Sequence, residues 1–336
     1  MNMALDSKLE QVLFDEFAAT YNIRRGAARY NADSDIAEVC SYLGTYFPRS
    51  WAEHTMIWEK LLQRPSIQSS LSSQETIRIL DIGSGTGGHL YAVISQLRSK
   101  IKRSRISVVA IDANERALEK QKELHERLMF SGVNIKYLPN RFNYDTTAFG
   151  QQLMHICEEE GGNFNIILSS KFLSEMGGYA IAERKSPTGF FLNVLHVADK
   201  VLLPNGIVSL VDVNISVGDQ HVAEHMRREI MEARLAGVDL CVVMPSHCGL
   251  YFEGCHQYNA RCYMTIPFEL WHKGCVGRND ISKICFRVLA RESLAKLLFA
   301  EKSDYPTRIK VNDNGYCNKG ISCKGTIDDQ YANCFC

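Results

Sequence analysis

The first seventy-five residues of the chain place apolar side chains at helical spacing. Two such sets are Leu9, Val12, Leu13 and Phe17, and then Trp51, Ile57, Trp58 and Leu61. Apolar residues three and four positions apart form one face of a helix. Segment 66–76, SIQSSLSSQET, is rich in serine and glutamine, and we predict a linker or exposed loop there. Residues 1–75 are therefore predicted to form an N-terminal helical region.

Residues 76–240 alternate short apolar runs with helical patterns. The predicted strands cover residues 77–80, 106–111, 135–138, 164–170 and a run after the Pro-Asn-Gly turn at 204–206. Strands that alternate with helices typically form a parallel sheet covered by helices. We predict an α/β fold for this stretch, and we expect the cysteine-rich residues 241–336 to complete the sheet.

A glycine-rich loop, Gly83–Gly88, follows the first predicted strand and precedes a helix. Glycines allow a tight turn and let the backbone approach a ligand without Cβ atoms in the way. The helix that follows offers unpaired N–H groups at its start. Such a loop alone also occurs in dinucleotide-binding folds, and it can be a turn without a ligand.

A second polar position, Asp112, ends the next predicted strand, 27 residues beyond Gly85. An acidic residue at this place suits paired hydrogen bonds to a ribose diol. The alternative is that Asp112 caps the following helix, and both roles are compatible. The third strand leads into residues 140–145, where a side chain could contact an adenine.

The order of these features resembles the class I S-adenosylmethionine-dependent methyltransferases: D-x-G-x-G-x-G comes first, and a helix, LLPNG and a strand come later. The resemblance implies a Rossmann-like class I methyltransferase sheet that binds S-adenosylmethionine. It implies that the methionine part of the cofactor is surrounded by Asp81, Gly83, Ser84, Gly85, Thr86 and Gly87. The ribose, adenine and adenine-edge contacts would come from Asp112, Ala113 and Asn143 or a near neighbour. The floor of the methyl-transfer pocket would be Ser169, Ser170 and Lys171.

Residues after the fourth strand limit the transfer chemistry. The sequence Ser-Ser-Lys-Phe-Leu-Ser-Glu at 169–175 lacks the Asp/Asn-Pro-Pro-aromatic tetrapeptide that holds exocyclic amines in many related enzymes. Cys157 lies on a predicted helix before the strand, so a cysteine nucleophile for pyrimidine carbon is not supported either. Glu175 is the candidate for a base or a substrate ligand, with a solvated glutamate at a helix start as the alternative. The sequence thus leaves the catalytic residue unassigned.

Composition excludes several classes of protein. The chain has 336 residues, 46% of them hydrophobic, and 38 Lys+Arg balance 38 Asp+Glu. It is therefore neither disordered nor a broadly basic nucleic-acid coat. No apolar run approaches the roughly 20 residues of a membrane span. The N-terminal sequence lacks the apolar core of a signal peptide, and we expect a cytoplasmic protein that contacts neither membrane nor DNA.

Ten of the twelve cysteines lie in residues 241–336. In a reducing compartment, clustered thiols favour metal binding over disulfides. Cys248, Cys255 and Cys262 recur every seven residues, beside His247 and His256, and suit zinc or an iron–sulfur cluster. A fourth ligand would come from Cys275, Cys285, Cys317, Cys323, Cys334 or Cys336. The alternative is a group of buried cysteines that bind nothing.

A narrower resemblance extends over nearly the whole chain. Segments similar to the methyltransferase-like family of small-ribosomal-subunit assembly factors are 29–33 with 46–48, 81–88, 170–176, 244–263, and 283–291 with 305–317. The family implies a structural [4Fe–4S] cluster, with zinc as the alternative, and a small ribosomal subunit or its RNA as partner. It implies that the cluster ligands are Cys248, Cys255, Cys262 and Cys317. The tail beyond residue 317 has no counterpart in this resemblance.

Basic segments offer a contact for RNA. Residues 98–105 hold five cations in eight positions at the end of the first predicted helix. Arg24, Arg25 and Arg29 lie between Tyr21 and Tyr30. Each segment can also be a solvated surface. We predict a methyltransferase that acts on RNA or a ribosomal particle. The alternatives are a non-catalytic module that docks on a ribosomal or protein complex, and a methyltransferase for a small metabolite or natural product.

Overall fold

A nine-stranded mixed sheet organises the chain, and helices pack against it. The computed structural model describes residues 2–22, 32–245, 266–275, 277, 279–301, 316–317 and 321–322. The strands within these residues are β1 (Asn2–Ala4), β2 (Thr76–Ile82), β3 (Arg105–Asp112), β4 (Val133–Pro139), β5 (Phe164–Ser170), β6 (Leu202–Val213), β7 (Ser216–Val217), β8 (Gln220–His221), β9 (Cys241–Met244), β10 (Ile266–Trp271), β11 (Asp280–Ala290), β12 (Tyr316–Cys317) and β13 (Ile321–Ser322).

Helices connect the parallel strands. They are α1 (Ser7–Glu10), α2 (Ile36–Leu61), α3 (Pro65–Ser72), α4 (Gly88–Lys100), α5 (Glu115–Leu128), α6 (Thr146–Glu159), α7 (Leu173–Ala182), α8 (Phe190–Val201), α9 (Val222–Leu235) and α10 (Glu292–Ala300), with a π-helical segment over Gln11–Glu16. None of the helices in the described part of the chain is long and apolar enough to cross a membrane.

The parallel half of the sheet confirms the predicted α/β arrangement. Strands run in the order β1-β10-β11-β6-β5-β2-β3-β4, and β9 also pairs with β11. All seven residues of β5 are buried, as expected for a strand covered on both faces. The chain leaves β2 towards β3 on one side and returns as β5 on the other. Ligands of such sheets bind at the carboxyl ends of the strands, where the strand order reverses.

Strands from both ends of the chain extend the same sheet. β11 runs antiparallel to β6, with Ile284 opposite Val213 and Ala290 opposite Ile207. β10 runs antiparallel to β11, and β1 pairs in parallel with β10. The N-terminal, central and cysteine-rich stretches thus contribute strands to one sheet.

The predicted linker over 66–76 is wrong. Residues Pro65–Ser72 form α3, whose Ile67 and Leu71 are buried. These two apolar residues are four positions apart, so both face the core from one side of the helix. Their burial outweighs the loop preference of the surrounding serines.

The predicted Pro-Asn-Gly turn is also different in the structure, because residues 204–206 lie within β6. Phe164 lies opposite Leu202, whereas Ile166 lies opposite Ile207. An advance of two residues along β5 is therefore matched by an advance of five residues along β6. The three extra residues of β6 form an irregularity within the strand rather than a separate turn.

Helix α2 lies against the start of α4. It begins with a capping box, in which the Asp35 carboxylate accepts the Glu38 N–H at 2.9 Å and the Glu38 carboxylate accepts the Asp35 N–H at 3.2 Å. A Cβ at Gly88 would lie 2.5 Å from the Phe47 carbonyl oxygen. Only glycine permits this approach of the two backbones, which brings α2 beside the loop that follows β2.

Candidate functional site

The loop after β2 is shaped around the carboxylate of Asp81. This side chain is fully buried; Oδ2 accepts the Ser84 hydroxyl at 2.6 Å, and Oδ1 lies 2.7 Å from His89 Nε2. The N–H groups of Gly83 and Ser84 both donate to the Ile111 carbonyl at 2.9 Å. Asp81 therefore braces the loop from inside, with both carboxylate oxygens engaged by the protein.

Two glycines of the loop serve different purposes. Gly83 has φ +74°, and a Cβ there would lie 2.3 Å from Cγ of Phe172. Gly85 has φ +53°, and the nearest atom to its Cβ would be Oδ2 of Asp112 at 4.0 Å. Gly83 is thus required by packing, whereas Gly85 faces open space that a ligand can enter. Ser84 and Thr86 on either side are buried, and the loop ends at Gly87 before α4.

The carboxylate of Asp112 is held directly against this loop. Oδ2 accepts the Gly85 N–H at 2.8 Å, and Oδ1 accepts the Asn114 N–H at 2.8 Å. Burial raises the pKa of Asp112, and these two hydrogen bonds oppose the rise. A carboxylate oxygen can accept two hydrogen bonds, so each oxygen retains a position for a ligand hydroxyl. This matches the paired bonds expected for a ribose diol.

The alternative role of Asp112 as a helix cap is wrong. The N-cap of α5 is Asn114, whose side-chain oxygen accepts the Ala117 N–H at 3.0 Å. Asp112 lies two residues before this cap, so its carboxylate does not cap α5 and is available to a ligand. Ala113, predicted to lie beside the adenine, is partly exposed between them.

Asn143, predicted at the adenine edge, lies in the exposed segment between β4 and α6. Its side-chain oxygen accepts the Asp145 N–H at 2.8 Å, and its backbone N–H donates to Gln152 at 2.8 Å. Its side-chain amide group remains as the donor for a ligand. Phe142 beside it is buried and packs 5.9 Å from Phe172, ring centroid to centroid.

The predicted floor of the pocket is at the end of β5. Ser169 is buried, and its hydroxyl has no hydrogen-bond partner among the described residues. Ser170 Oγ lies 3.1 Å from His54 Nε2. Lys171 has φ +57°, and its ammonium lies 2.9 Å and 2.8 Å from the two carboxylate oxygens of Glu53. These three residues come together with Asp81 and Asp112 because β5, β2 and β3 are neighbours.

Helix α2 supplies two site residues that the sequence did not predict. Glu53 and His54 are fully buried, and Glu53 also accepts the Ser282 hydroxyl at 2.5 Å. Burial lowers the pKa of His54 well below its usual value, and the charges of His89 and Lys171 lower it further. His54 is therefore neutral. The available signal was the pair of ionisable residues within the otherwise uncharged stretch 51–58, but no motif links that stretch to β5.

Glu175 is not the solvated glutamate that the alternative interpretation expects. It is partly buried in the first turn of α7. Burial raises its pKa well above the usual value, and the negative charges of Asp212 and Asp112 raise it further. No described residue donates a hydrogen bond to its carboxylate. Glu175 is thus a partly buried acid without a hydrogen-bond donor among the described residues, and the charge of Lys171 partly opposes the rise of its pKa.

Asp212, at the end of β6, anchors the start of α7 beside Glu175. Its carboxylate accepts the Ser174 hydroxyl at 2.5 Å, the Ser174 N–H at 3.1 Å and the Val213 N–H at 2.8 Å. Burial raises the pKa of Asp212 to about 6, and its hydrogen bonds from Ser174 and Val213 oppose the rise. No motif in the sequence points to this residue.

The structure does not describe the side chains of the predicted metal ligands. Cys248, Cys255 and Cys262 lie outside the described residues, and Cys317 is described only as backbone in β12. Within the described ranges, no group of three histidine, cysteine or acidic side chains is placed to hold a metal. The ligand set remains a prediction. Cys157 and Cys285 are buried in the core.

The basic segment 98–105 lies at the opposite edge of the sheet from this site. Helix α4 starts at the glycine loop and is 13 residues long, so its two ends are about 20 Å apart. Arg98 donates to the carbonyls of Ser104 and Gly132. Lys100, Lys102 and Arg103 are exposed. Arg24, Arg25 and Arg29 of the second predicted segment lie outside the described residues.

A family model described as "Methyltransferase domain" matches residues 73–238. Among solved structures, a methyltransferase homolog protein from Pyrococcus horikoshii is 14% identical and covers 67% of this chain and 66% of that chain, with a TM-score of 0.39. The plantazolicin methyltransferase BpumL, in complex with SAH, is 11% identical and covers 84% and 94%, with a TM-score of 0.39. TrmN from Thermus thermophilus is 13% identical and covers 69% and 48%, with a TM-score of 0.34. No curated protein sequence matches the chain.

Structural similarities of this size carry no inference about the substrate. The match over 73–238, by contrast, spans β2 to α9 and includes the loop, Asp112 and Glu175. The chain therefore carries the methyltransferase domain of an S-adenosylmethionine-dependent methyltransferase.

Proposed function

We propose that this methyltransferase acts on RNA, either free or within a small ribosomal particle. The observation that carries the proposal is the position of the exposed cations Lys100, Lys102 and Arg103, about 20 Å from the glycine loop along α4. Exposed lysine and arginine side chains bind nucleic-acid phosphates. A partner that reaches both the site and this cluster must be extended, which favours a macromolecule over a small metabolite.

The residues at the carboxyl edge fit S-adenosylmethionine. Gly85 leaves an opening where any larger residue would place a Cβ, and Asp112 beside it has two fixed oxygens with free acceptor positions. We propose that Asp112 binds the ribose hydroxyls and that the backbone of 83–87 surrounds the methionine part. Ala113 and Asn143 would border the adenine. When bound, this cofactor supplies an electrophilic methyl group on a sulfonium.

We assign the floor of the transfer pocket to the end of β5. The Ser169 hydroxyl is buried and available, whereas the Ser170 hydroxyl is held by His54. Lys171 is held by Glu53. These contacts fix the side chains before substrate arrives, and such preorganisation is the main contribution an enzyme makes to an in-line transfer.

Transfer of a labelled methyl group to RNA tests the proposal. The protein is incubated with methyl-labelled cofactor and with RNA extracted from small ribosomal subunits of cells that lack the gene. We expect label in RNA, with transfer reduced at least tenfold in Lys102→Glu/Arg103→Glu because phosphate contacts are lost. The matched control is Arg184→Glu/Lys185→Glu, which reverses the charge of an exposed basic pair outside the 98–105 segment.

Equal transfer by the two double variants would contradict docking of RNA on the 98–105 segment. Cofactor binding without any transfer to RNA would contradict the RNA substrate. Transfer to a small metabolite from a cell extract, with none to RNA, would favour the metabolite alternative.

We also propose that Cys248, Cys255, Cys262 and Cys317 hold a [4Fe–4S] cluster with a structural role. The resemblance to the small-ribosomal-subunit assembly factors implies this cluster and ligand set, and the seven-residue spacing of the first three cysteines suits either zinc or an iron–sulfur cluster. Protein purified without oxygen should contain iron and sulfide in equal amounts and lose both in Cys255→Ser. Cys40→Ser, outside the ligand set, is the matched control. Stoichiometric zinc without iron would contradict the cluster but keep the ligand set.

A further inference from the structure

The loop between β2 and α4 places a glycine at every second position. Gly83, Gly85 and Gly87 have φ of +74°, +53° and +84°, all in the left-handed region. Glycine reaches this region readily, but it also loses more conformational freedom on folding than any other residue. These positions therefore favour a flexible loop unless other contacts hold it. A loop that keeps one shape before the cofactor binds needs a fixed point between its glycines.

Ser84 is such a fixed point, because its side chain is turned into the protein. It is 1% exposed, and its hydroxyl oxygen lies 2.6 Å from Asp81 Oδ2, 2.9 Å from Gln121 Nε2 and 3.2 Å from Gln121 Oε1. A hydroxyl has one hydrogen and two lone pairs. The shortest of these contacts, to the Asp81 carboxylate, takes the hydrogen. The Ser84 oxygen therefore accepts a hydrogen bond from the Gln121 amide.

Gln121 reaches the loop from α5. Its side chain is fully buried on the face of this helix that also buries Ala117, Leu118 and Leu124. Burying an amide costs free energy that an apolar side chain in the same place would not incur. Packing alone would therefore favour an apolar residue at position 121. The hydrogen bond to Ser84 offsets this cost and gives the amide a specific task.

A second contact joins Gln121 to the start of α4. A Cβ at Gly87, the N-cap of this helix, would lie 2.6 Å from Gln121 Nε2. The amide thus fills the space that a larger residue at the end of the loop would need. The backbone carbonyl of Gln121 also accepts the Tyr91 hydroxyl at 2.5 Å, and Tyr91 lies in the first turn of α4. Gln121 therefore contacts the middle of the loop, its end and the helix that follows.

The same unit of strand and helix carries the carboxylate proposed to bind the ribose. Asp112 ends β3, and it accepts the Gly85 N–H at 2.8 Å. The loop is thus attached to β3 and α5 at two neighbouring residues, through the Ser84 hydroxyl and through the Gly85 N–H. Two attachments on either side of one peptide bond fix the orientation of that bond. Loss of the Gln121 contact would leave only the attachment at Gly85.

We propose that Gln121 is a positioning residue for S-adenosylmethionine: its amide holds the Ser84 hydroxyl and keeps the glycine loop in the shape that binds the cofactor. The inference rests on the proposed cofactor site and adds a residue that lies outside the glycine-rich motif. Gln121 is fully buried, so it acts through Ser84 and not by touching the cofactor. Without it, the loop would be ordered only when the cofactor binds, and that ordering would reduce the affinity.

A double-mutant cycle tests this role. The affinity of the full chain for S-adenosylhomocysteine is measured by calorimetric titration in wild type, Gln121→Met, Ser84→Ala and the double variant. Gln121→Met keeps an unbranched side chain and removes the amide, and we expect a loss of about tenfold, the value of one hydrogen bond. In the Ser84→Ala background the same change should cost less than about twofold, because the hydroxyl is already missing. Equal losses in the two backgrounds would overturn the proposal.

Leu124→Met is the matched control, because it changes a buried side chain on the same face of α5. Its affinity should stay within about twofold of the wild type, as expected for a site that is not coupled to the loop. A loss as large as that of Gln121→Met would show that packing of α5 is responsible. If thermal melts show that Gln121→Met does not fold, Gln121→Asn replaces it in the cycle, because its shorter side chain withdraws the amide from Ser84.

Amide hydrogen exchange without ligand reports the shape of the loop itself. The Gly85 N–H donates to Asp112, and the Gly87 N–H donates to the Ser84 carbonyl at 3.0 Å. Both should exchange faster in Gln121→Met, whereas the amides of β2 should exchange as in the wild type. Unchanged exchange at Gly85 and Gly87 would contradict a role of Gln121 in holding the loop.

The outcomes separate this inference from the proposed cofactor site. If the wild type does not bind S-adenosylhomocysteine, the cofactor site is wrong, and the role of Gln121 is wrong with it. If the wild type binds and Asp112→Ala weakens binding, but Gln121→Met binds as the wild type does, the site stands and the positioning role of Gln121 is overturned.

Discussion

The backbone N–H of Gly85 donates a hydrogen bond of 2.8 Å to Oδ2 of Asp112. This bond joins the glycine loop after β2 to the tip of β3, so the two parts of the cofactor site are fixed to each other before any ligand binds. It also places the open side of Gly85 beside the carboxylate that would hold the ribose. The site is thus one rigid unit, and its two glycines should respond differently to substitution.

Gly83→Ala should destabilise the fold. The new methyl group would lie 2.3 Å from Cγ of Phe172, and the backbone has φ +74°. Steric overlap and left-handed backbone together cost about 3 kcal/mol in the free energy of unfolding. Denaturant titration measures this loss.

Gly85→Ala should leave the fold largely intact and impair cofactor binding. Its methyl group meets no protein atom closer than 4.0 Å, so the cost is the backbone strain alone, about 1 kcal/mol. We expect affinity for S-adenosylhomocysteine to fall at least tenfold because the methyl group occupies the ligand's approach. Tight binding by the alanine variant would show that the ligand does not lie against Gly85.

Glu229 should make stability depend on pH near neutrality. Its carboxylate accepts the Leu192 N–H at 2.9 Å, and burial raises its pKa to about 7 from the ordinary 4.5. The folded protein therefore binds a proton that the unfolded chain has released between pH 4.5 and 7, and stability falls as pH rises through that range. Glu229→Gln should remove this slope, as measured by melting temperature from pH 4.5 to 8. An unchanged slope would exclude Glu229 as its source.

Asp280 should stabilise the contact between α2 and the antiparallel end of the sheet. It accepts hydrogen bonds from Arg49 Nε at 2.7 Å, from Arg49 Nη2 at 2.8 Å and from the Tyr21 hydroxyl at 2.9 Å. Asp280→Asn should cost about 3 kcal/mol, because it leaves a largely buried guanidinium without its counter-ion. Asp219→Asn, an exposed aspartate, is the control.

The ion pair between Arg49 and Asp280 should also make the stability of the fold depend on pH in the acidic range. Burial raises the pKa of Asp280, but the nearby His272 side chain and the hydrogen-bonded, charged Arg49 outweigh this effect and hold the pKa well below its usual value. The stabilisation is complete above the ordinary aspartate pKa of about 4 and is lost as pH falls below it. The difference in stability between wild type and Asp280→Asn should therefore shrink below pH 4. A difference that stays constant there would contradict the ionic origin.

Leu71→Ala should show that α3 is part of the core. Leu71 is buried, and loss of its side chain should cost about 3 kcal/mol. The exposed neighbour position Ser72→Ala should have little effect. Equal melting temperatures for the two variants would favour the loop that the serine-rich sequence predicts.

Local sequence was sufficient where the site is built from adjacent residues. The strand, loop and helix around Asp81 follow from one continuous segment, and Asp112 follows from the end of the next strand. Local sequence is misleading at α3, because the serine-rich composition favours a loop although Ile67 and Leu71 have the four-residue spacing of a buried helix face.

Residues brought in from distant parts of the chain could not be predicted. His54 reaches Ser170 across 116 positions, and Glu53 reaches Lys171 across 118. Such contacts depend on how α2 packs on α4, and neither helix carries a local pattern that specifies its partner. The residue that caps α5 could not be predicted either. Three of the four residues 112–115 are polar, and the structure shows that the cap is Asn114.

The most direct test of the central claim is calorimetric titration of the full chain with S-adenosylmethionine, in wild type and Asp112→Ala. One equivalent should bind to the wild type, and Asp112→Ala should lose at least tenfold in affinity through its missing hydrogen bonds to the ribose. Asp219→Ala should bind as the wild type does. Failure of the wild type to bind, or equal affinity in Asp112→Ala, would contradict the assignment of this edge of the sheet as the cofactor site.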